Sequence, residues 1–310
     1  MDDAPPGEQV AEELETLLTS WLRHLRAAKL SQKTINTYGY SVRSFIGYIR
    51  DAADAAGDVG GITRGHIEDW MLGLEDAGRK PNTLLTRFTN MRTFLAWLVE
   101  EEELAVNVMT GMREPKVVQQ PVEVLELDAL SAMVGTCKGK AFTAVRDEAL
   151  IRALAEGGMR RAEIAGLDVA DVDMDQEVFW VRGKGGKMRA VPFTAKTARA
   201  LDRYLRARRK HKDAKVTAKL WLGSKGHLTA EGVRMMLARR AKLAGLGHVH
   251  PHQFRHTAAH QLRLAGMNDQ DMRRIFGWGK NSRQLERYGE SAADERAREA
   301  HRRLSFGDQI

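Results

Sequence analysis

The sequence predicts a mainly α-helical protein of two domains, the second carrying a small antiparallel β-sheet. Three observations carry that expectation. Apolar residues recur at helical spacing from Leu14 to Leu98 with no strand-like stretch between them. Alternation replaces that period only near residues 178–191, on either side of a glycine-rich turn. The chain has 310 residues, enough for two domains at roughly 150 residues each.

Residues 1–11, rich in proline and acid, read as a flexible lead-in with little to bury. Leu14, Leu17, Leu18, Trp21, Leu22 and Leu25 then mark one helical face. Ser31 reads as the N-cap of a second helix, whose stripe is Ile35, Tyr38, Val42, Phe45, Ile46 and Ile49. Gly57, Gly60 and Gly61 break the chain, and Thr63 opens a short helix carrying Ile67, Trp70, Met71 and Leu74. After the turn Gly78-Arg79-Lys80-Pro81, a fourth helix aligns Leu84, Phe88, Met91, Leu95 and Leu98, with Thr83, Arg87 and Asn90 on a polar face. Residues 12–111 are therefore expected to form an all-α domain. Residues 112–123, with Pro115 and Pro121, read as a linker, and 124–310 as the second domain. Helices are expected there over 128–136, 144–156, 194–211, 229–244, 252–265, 268–276 and 282–289, with strands over 178–182 and 188–191.

Composition narrows the function. No run of about 18 apolar residues is long enough to span a bilayer, and the start Met1-Asp2-Asp3-Ala4-Pro5 lacks a secretory pattern. The expectation is a soluble cytoplasmic protein with no membrane partner. The single cysteine, Cys137, excludes an intramolecular disulfide and a cysteine zinc cage, and reads as a small buried hydrophobe. The net charge of +8 and pI near 9.6 suit a polyanion. Base crowds Arg203, Arg206, Arg208, Arg209, Lys210 and Lys212, a cluster that suits DNA steering or, more plainly, a solvated helix.

Four local patterns carry chemistry. In His252-Gln253-Phe254-Arg255-His256, helical spacing projects His252, Arg255 and His256 from one face. A guanidinium fork suits two phosphate oxygens, and an imidazole can move a proton. His252, His256 and His260 also have metal-ligand spacing, but no carboxylate intervenes and Arg255 puts a fixed cation among them, so no metal is expected. In Gly157-Gly158-Met159-Arg160-Arg161-Ala162-Glu163, Arg160 opens a helix where N–H groups favour an anion, and Glu163 one turn on can hold an arginine. The turn Gly183-Lys184-Gly185-Gly186-Lys187 lacks the Walker A pattern, yet puts Lys184 or Lys187 at a hairpin tip. Trp278 precedes Tyr288 by ten residues, and Ser282 can cap a helix that presents Tyr288. Each alone has a bland reading: ion-pair decoration, a solvated turn, a packing tyrosine.

Together and in this order, Arg160, Lys184, His252, Arg255, His256, Trp278 and Tyr288 resemble the active-site series of the tyrosine recombinases, the phage integrase family. The resemblance covers nearly the whole chain; Leu14 to Val108 is similar to that family's helical core-binding domain. It implies site-specific DNA cleavage and rejoining through a covalent 3′-phosphotyrosine at Tyr288, with no cofactor and no ATP. Arg160 and Arg255 clamp the phosphate, His252 accepts the tyrosine proton, Lys184 (or Lys187) protonates the leaving oxygen, and Glu163 and His256 support. The position of Trp278 is more often histidine in this family; an indole N–H donates but cannot shuttle a proton, so Trp278 is expected to position and pack. Implied partners are double-stranded DNA at recombination sites, a homotetramer on paired sites and a directionality factor, with the protein at the nucleoid. Arg87 and Asn90 are the first candidates for groove contacts, with Thr83 and Lys80 for phosphate. Phage integration and excision is the expected role; a chromosome-dimer resolvase of the Xer kind, a type IB topoisomerase and a silent architectural protein are the alternatives.

Overall fold

The computed structural model describes residues 6–52, 57–117, 123–183 and 186–279, with 282, 285, 297, 298 and 301–303. Contacts divide the chain into two compact units, Met1–Gln119 and Gln120–Ile310. Among the described residues the fold is mainly helical, with one small antiparallel sheet. No helix in these residues is long and apolar enough to cross a membrane.

The first unit is built from α1 (Pro6–Ala27), α2 (Gln32–Asp51), α3 (Arg64–Asp76) and α4 (Pro81–Glu100). Its core joins Leu14, Leu18, Trp21, Phe45, Ile46, Met91, Phe94 and Leu98. Full burial of each such side chain contributes about 1.5–3 kcal/mol relative to exposure. Helix starts follow capping chemistry. The Ser31 hydroxyl accepts the Thr34 N–H at 3.1 Å, and Thr63 and His66 cap each other reciprocally at the head of α3. Proline stands at the first helical position of α4, where its missing N–H costs nothing.

One expectation fails here. Residues 6–11 are not a loose lead-in: α1 begins at Pro6, and Val10 and Ala11 are buried in the core. Val10 stands one turn before Leu14 and extends the apolar stripe, so burial outweighs the local acidity. The polar face read on α4 is in part turned toward α2. Asn90 is buried and donates to the Ser41 hydroxyl at 2.8 Å and the Thr37 carbonyl at 3.4 Å. Arg87, also buried, lies 4.0 Å over the Tyr40 ring. This face packs α4 on α2, because a buried polar group must find partners and α2 supplies them.

The second unit opens with α5 (Leu127–Gly135), α6 (Phe142–Gly157) and α7 (Arg161–Gly166). The sheet follows in the order β1 (Val172–Asp173), β2 (Val178–Arg182) and β3 (Met188–Pro192), all antiparallel. Trp180 pairs with Ala190 and Arg182 with Met188, which puts Gly183 and Lys187 at the end of the β2–β3 hairpin. Helices α8 (Ala195–Arg209), α9 (Ala230–Leu243), α10 (Pro251–Leu264) and α11 (Asp269–Phe276) complete the described part. The two-residue strand β1 is an addition to the two expected strands.

Helix α6 is the centre of this unit, buried nearly all round and packed against both α8 and α10. Its Asp147 is wholly buried and accepts bonds from Arg146, Arg239 and Arg240 at 2.6–2.9 Å. Such a buried charge persists only when its oxygens are fully paired. Arg208, read in the sequence as part of a surface cluster, is buried instead, its guanidinium donating to the carbonyls of Thr217, Lys219 and Leu220.

Candidate active site

The site starts from two glycines. Gly158 ends α6 in the left-handed region at φ 54°, and its N–H bonds the Leu154 carbonyl. A Cβ there would stand 2.4 Å from a ring carbon of Phe276 and 3.0 Å from Ala258; one on Gly157 would stand 2.7 Å from Val191. Glycine therefore serves twice, for the backbone turn and for close approach of β3, α10 and α11. Arg160 follows as the N-cap residue of α7, half-exposed, with a backbone N–H that the Glu163 carboxylate accepts at 2.8 Å.

Glu163 is the next node. Its side chain, 9% exposed, accepts Nη1 of Arg160 at 2.8 Å and two bonds from Arg189 at 3.2 and 2.7 Å. Burial alone pushes this carboxyl up, but the bonds from Arg189 and from the Arg160 backbone outweigh it and hold the group below its ordinary value. Arg189 also donates Nε to the Ile275 carbonyl at 2.8 Å. Arg255 closes the ring. Its side chain, 2% exposed, donates to the Gly158 carbonyl at 2.8 Å and the Phe276 carbonyl at 2.6 Å. The circuit runs from α10 to the α6–α7 turn, through Glu163 to β3, on to the end of α11 and back to α10. It fixes Arg255 against the carbonyl two residues before Arg160.

Trp278 follows the left-handed Gly277 that ends α11. Its indole stacks on Phe276 with centroids 4.6 Å apart and planes 15° apart, and the Arg255 guanidinium lies over both rings. His252 is exposed and His256 buried on α10, their rings 4.2 Å apart in a T-shaped pair. Pro251 at the first position and the Gln253 carboxamide, which accepts the His250 N–H at 2.8 Å, fix the start of that helix.

The structure thus brings Arg160, Glu163, Arg255, His256 and Trp278 into one network or onto one helix, with His252 beside His256. Lys184 and Tyr288 lie outside the described residues, as does nearly all of the helix expected at 282–289. Lys80 is exposed and precedes α4, and Thr83 is half-buried in its first turn. Among the described residues no three His, Cys, Asp or Glu side chains converge as metal ligands. Sequence reasoning missed Arg189 and Phe276. Arg189 was findable: it stands two residues before Val191 in a strand, so it shares that residue's inward face. Nothing local marked Phe276, whose contacts reach back more than a hundred residues.

A model of the phage integrase family matches residues 123–295, and one of the phage integrase N-terminal SAM-like domain matches 18–102. The chain belongs to the phage integrase family, the tyrosine recombinases. Its activity is site-specific DNA cleavage and rejoining. Tyrosine recombinase XerC of Corynebacterium glutamicum is 27% identical over 89% of this chain and 89% of that protein. Tyrosine recombinase XerC of Neisseria meningitidis serogroup C is 32% identical over 71% of this chain and 73% of that protein. Among solved structures, XerH recombinase bound to a palindromic difH substrate aligns over 94% of this chain and 84% of its own, with TM-score 0.75 and 19% identity. The Tn1549 transposon integrase aligns over 93% and 99%, with TM-score 0.71 and 19% identity. At those identities the likeness is one of fold.

Proposed function

We propose that this recombinase is of the Xer kind, cutting and rejoining double-stranded DNA at a specific site through Tyr288 as a homotetramer on paired sites. The observation that carries the chemistry is the hydrogen-bonded ring that holds Arg255 against the Gly158 carbonyl, two residues before Arg160. Two guanidiniums anchored this way form a preorganised clamp for a phosphodiester, and each such donor can contribute about 10²–10³ in rate. The Tyr288 oxygen attacks phosphorus, the bond to the 5′ oxygen breaks, and Lys184 supplies that oxygen with a proton, a role commonly worth about 10²–10⁴. A phenol with an ordinary pKa of about 10 needs a base, and His252, exposed at the head of α10, is the acceptor. Attack by a 5′ hydroxyl on the phosphotyrosine reverses the step and reseals the strand, with no call on ATP or metal.

Of the five tyrosines, Tyr38, Tyr40 and Tyr48 lie in the first unit. Tyr204 is sealed in the second, donating to the Leu220 carbonyl and accepting the Leu222 N–H, with burial pushing its phenol up to about 12. Tyr288 is the remaining candidate. The Xer reading is favoured by the XerC relatives, which match this chain over most of their own length. Phage integration, with a directionality factor, is the second reading, favoured by Trp278 and the Arg287-Tyr288-Gly289 context.

Incubation with a nicked candidate site should give a covalent protein–DNA adduct in EDTA. Tyr288→Phe should bind the site and give no adduct. An adduct with Tyr288→Phe, or none with the wild type, overturns the reading, and loss of the adduct in EDTA restores a metal to the site. Chromosomal dif-type sites against phage attachment sites then separate the two roles.

A further inference from the structure

The chain enters the second unit across the helix that carries His252, Arg255 and His256. The Leu125 N–H donates to the Thr257 hydroxyl at 2.7 Å, with Leu125 buried and Thr257 1% exposed. The Gln253 side-chain N–H₂ donates to the Glu123 carboxylate at 3.2 Å, while its carbonyl oxygen accepts the His250 N–H. Residues 123–125 therefore form a strap tied to α10 at two points one turn apart.

The position of the strap on the helix matters. At about 100° per residue, Gln253 and Thr257 point roughly 160–200° away from Arg255. Arg255 is bonded to the Gly158 and Phe276 carbonyls on its own side. Helix α10 is thus anchored on opposite faces, by the ring on one and the strap on the other, and the His252–His256 edge lies between them. One anchor alone leaves rotation about that anchor open; the two together fix both the roll of the helix and its height. The strap bonds touch no phosphate-binding group and lie where the polypeptide arrives from the first unit.

We infer that Gln253 and Thr257 are positioning residues, through which the strap 123–125 sets the angular placement of His252 and His256 on the phosphate. The strap lies at the start of the second unit. The inference rests on the recombinase reading, since its consequence is a cleavage rate.

The test uses the full-length protein and a nicked site. Thr257→Val keeps the side-chain shape and removes the acceptor for Leu125; Thr257→Ser keeps the hydroxyl. Gln253→Glu keeps the acceptor that caps His250 and replaces the donor with a charge facing Glu123. Single-turnover cleavage at saturating DNA separates two quantities: the amplitude reports the folded fraction, and the rate constant reports geometry. Thr257→Val and Gln253→Glu should lower the rate constant about tenfold or more, as small misplacements of catalytic groups do, with DNA affinity unchanged and Thr257→Ser near wild type. A loss confined to amplitude or affinity, or Thr257→Ser as slow as Thr257→Val, overturns the inference. Amide exchange over residues 254–259, faster in Thr257→Val, reads the hold on α10 without any cleavage; unchanged exchange also overturns it. Wild type lacking an adduct sinks the recombinase reading alone, because the exchange arm still answers for the strap.

Discussion

Replacing Arg189 with leucine removes three side-chain hydrogen bonds at once: two to Glu163 and one to the Ile275 carbonyl. The pair is well shielded, with side chains 10% and 9% exposed. Each bond to a charged partner contributes about 1.5–3 kcal/mol, and stripping one member from a buried pair costs about 3–5 kcal/mol. Glu163 keeps the Arg160 N–H and Nη1 as partners, so it is not orphaned, and the expected loss is about 2–4 kcal/mol. Urea unfolding of the full chain measures it, with the transition of the second unit assigned by exchange of β3 and α11 peptides. Because Arg189 ties Glu163, and through it Arg160, to the Ile275 carbonyl at the end of α11, just before Trp278, the single-turnover cleavage rate should fall by about 10²-fold. Arg189→Lys should recover little, since one ammonium cannot span the carboxylate and the Ile275 carbonyl as a planar fork does. A leucine variant within about 0.5 kcal/mol of wild type, a loss typical of an inconsequential surface change, would refute the ring as the element that holds the site.

Gly158→Ala forces a left-handed alanine and a Cβ 2.4 Å from Phe276. The two penalties sum to about 2–5 kcal/mol, whereas Gly266→Ala, at φ 86° with nothing within 4 Å, should show only the backbone part, about 1–2 kcal/mol; equal losses in urea unfolding would contradict the close approach. Glu163 makes stability depend on acid. Its folded carboxyl lies below its unfolded value near 4.5, so its contribution is complete above that value and is lost as pH falls through the folded pKa. Glu163→Gln should therefore flatten the plot of unfolding free energy against pH below about 4.5, where one such group contributes up to about 1.4 kcal/mol per pH unit; an unchanged slope would dismiss the effect.

The helices of both units were legible because their apolar stripes are long. The start of α1 was not, because proline and acid dominate a short window and only the tertiary core shows that Val10 continues the stripe of Leu14 and Leu18. The strand β1, two residues long, is too short for any period to register. On α4 the polar face has contacts that the sequence did not show. Arg87 and Asn90 share a polar face in sequence, yet Tyr40, Ser41 and Thr37 on α2 turn that face inward, and no rule confined to one helix contains that information. Of the ring's charged members, Arg160, Glu163 and Arg255 stood out in the sequence by type and order, whereas Arg189 and the scaffolding around them did not. That Gly158 must be glycine because Phe276 fills the space, and that two carbonyls 118 residues apart hold one guanidinium, are facts of the folded chain alone.

The ring of bonds has a bearing on when, as the chain is made, the site can first form. Its members come from the α6–α7 turn, β3, α10 and the end of α11, so the Ile275 and Phe276 carbonyls are the last parts made as the chain leaves the ribosome. A nascent or truncated polypeptide ending before residue 275 has Arg160, Glu163, Arg189 and Arg255 but not the backbone that aligns two of them. It also lacks the Phe276–Trp278 stack beneath Arg255. The ring therefore closes only once all of α11 has been made, and no fragment that stops short of it can hold Arg255 at both carbonyls.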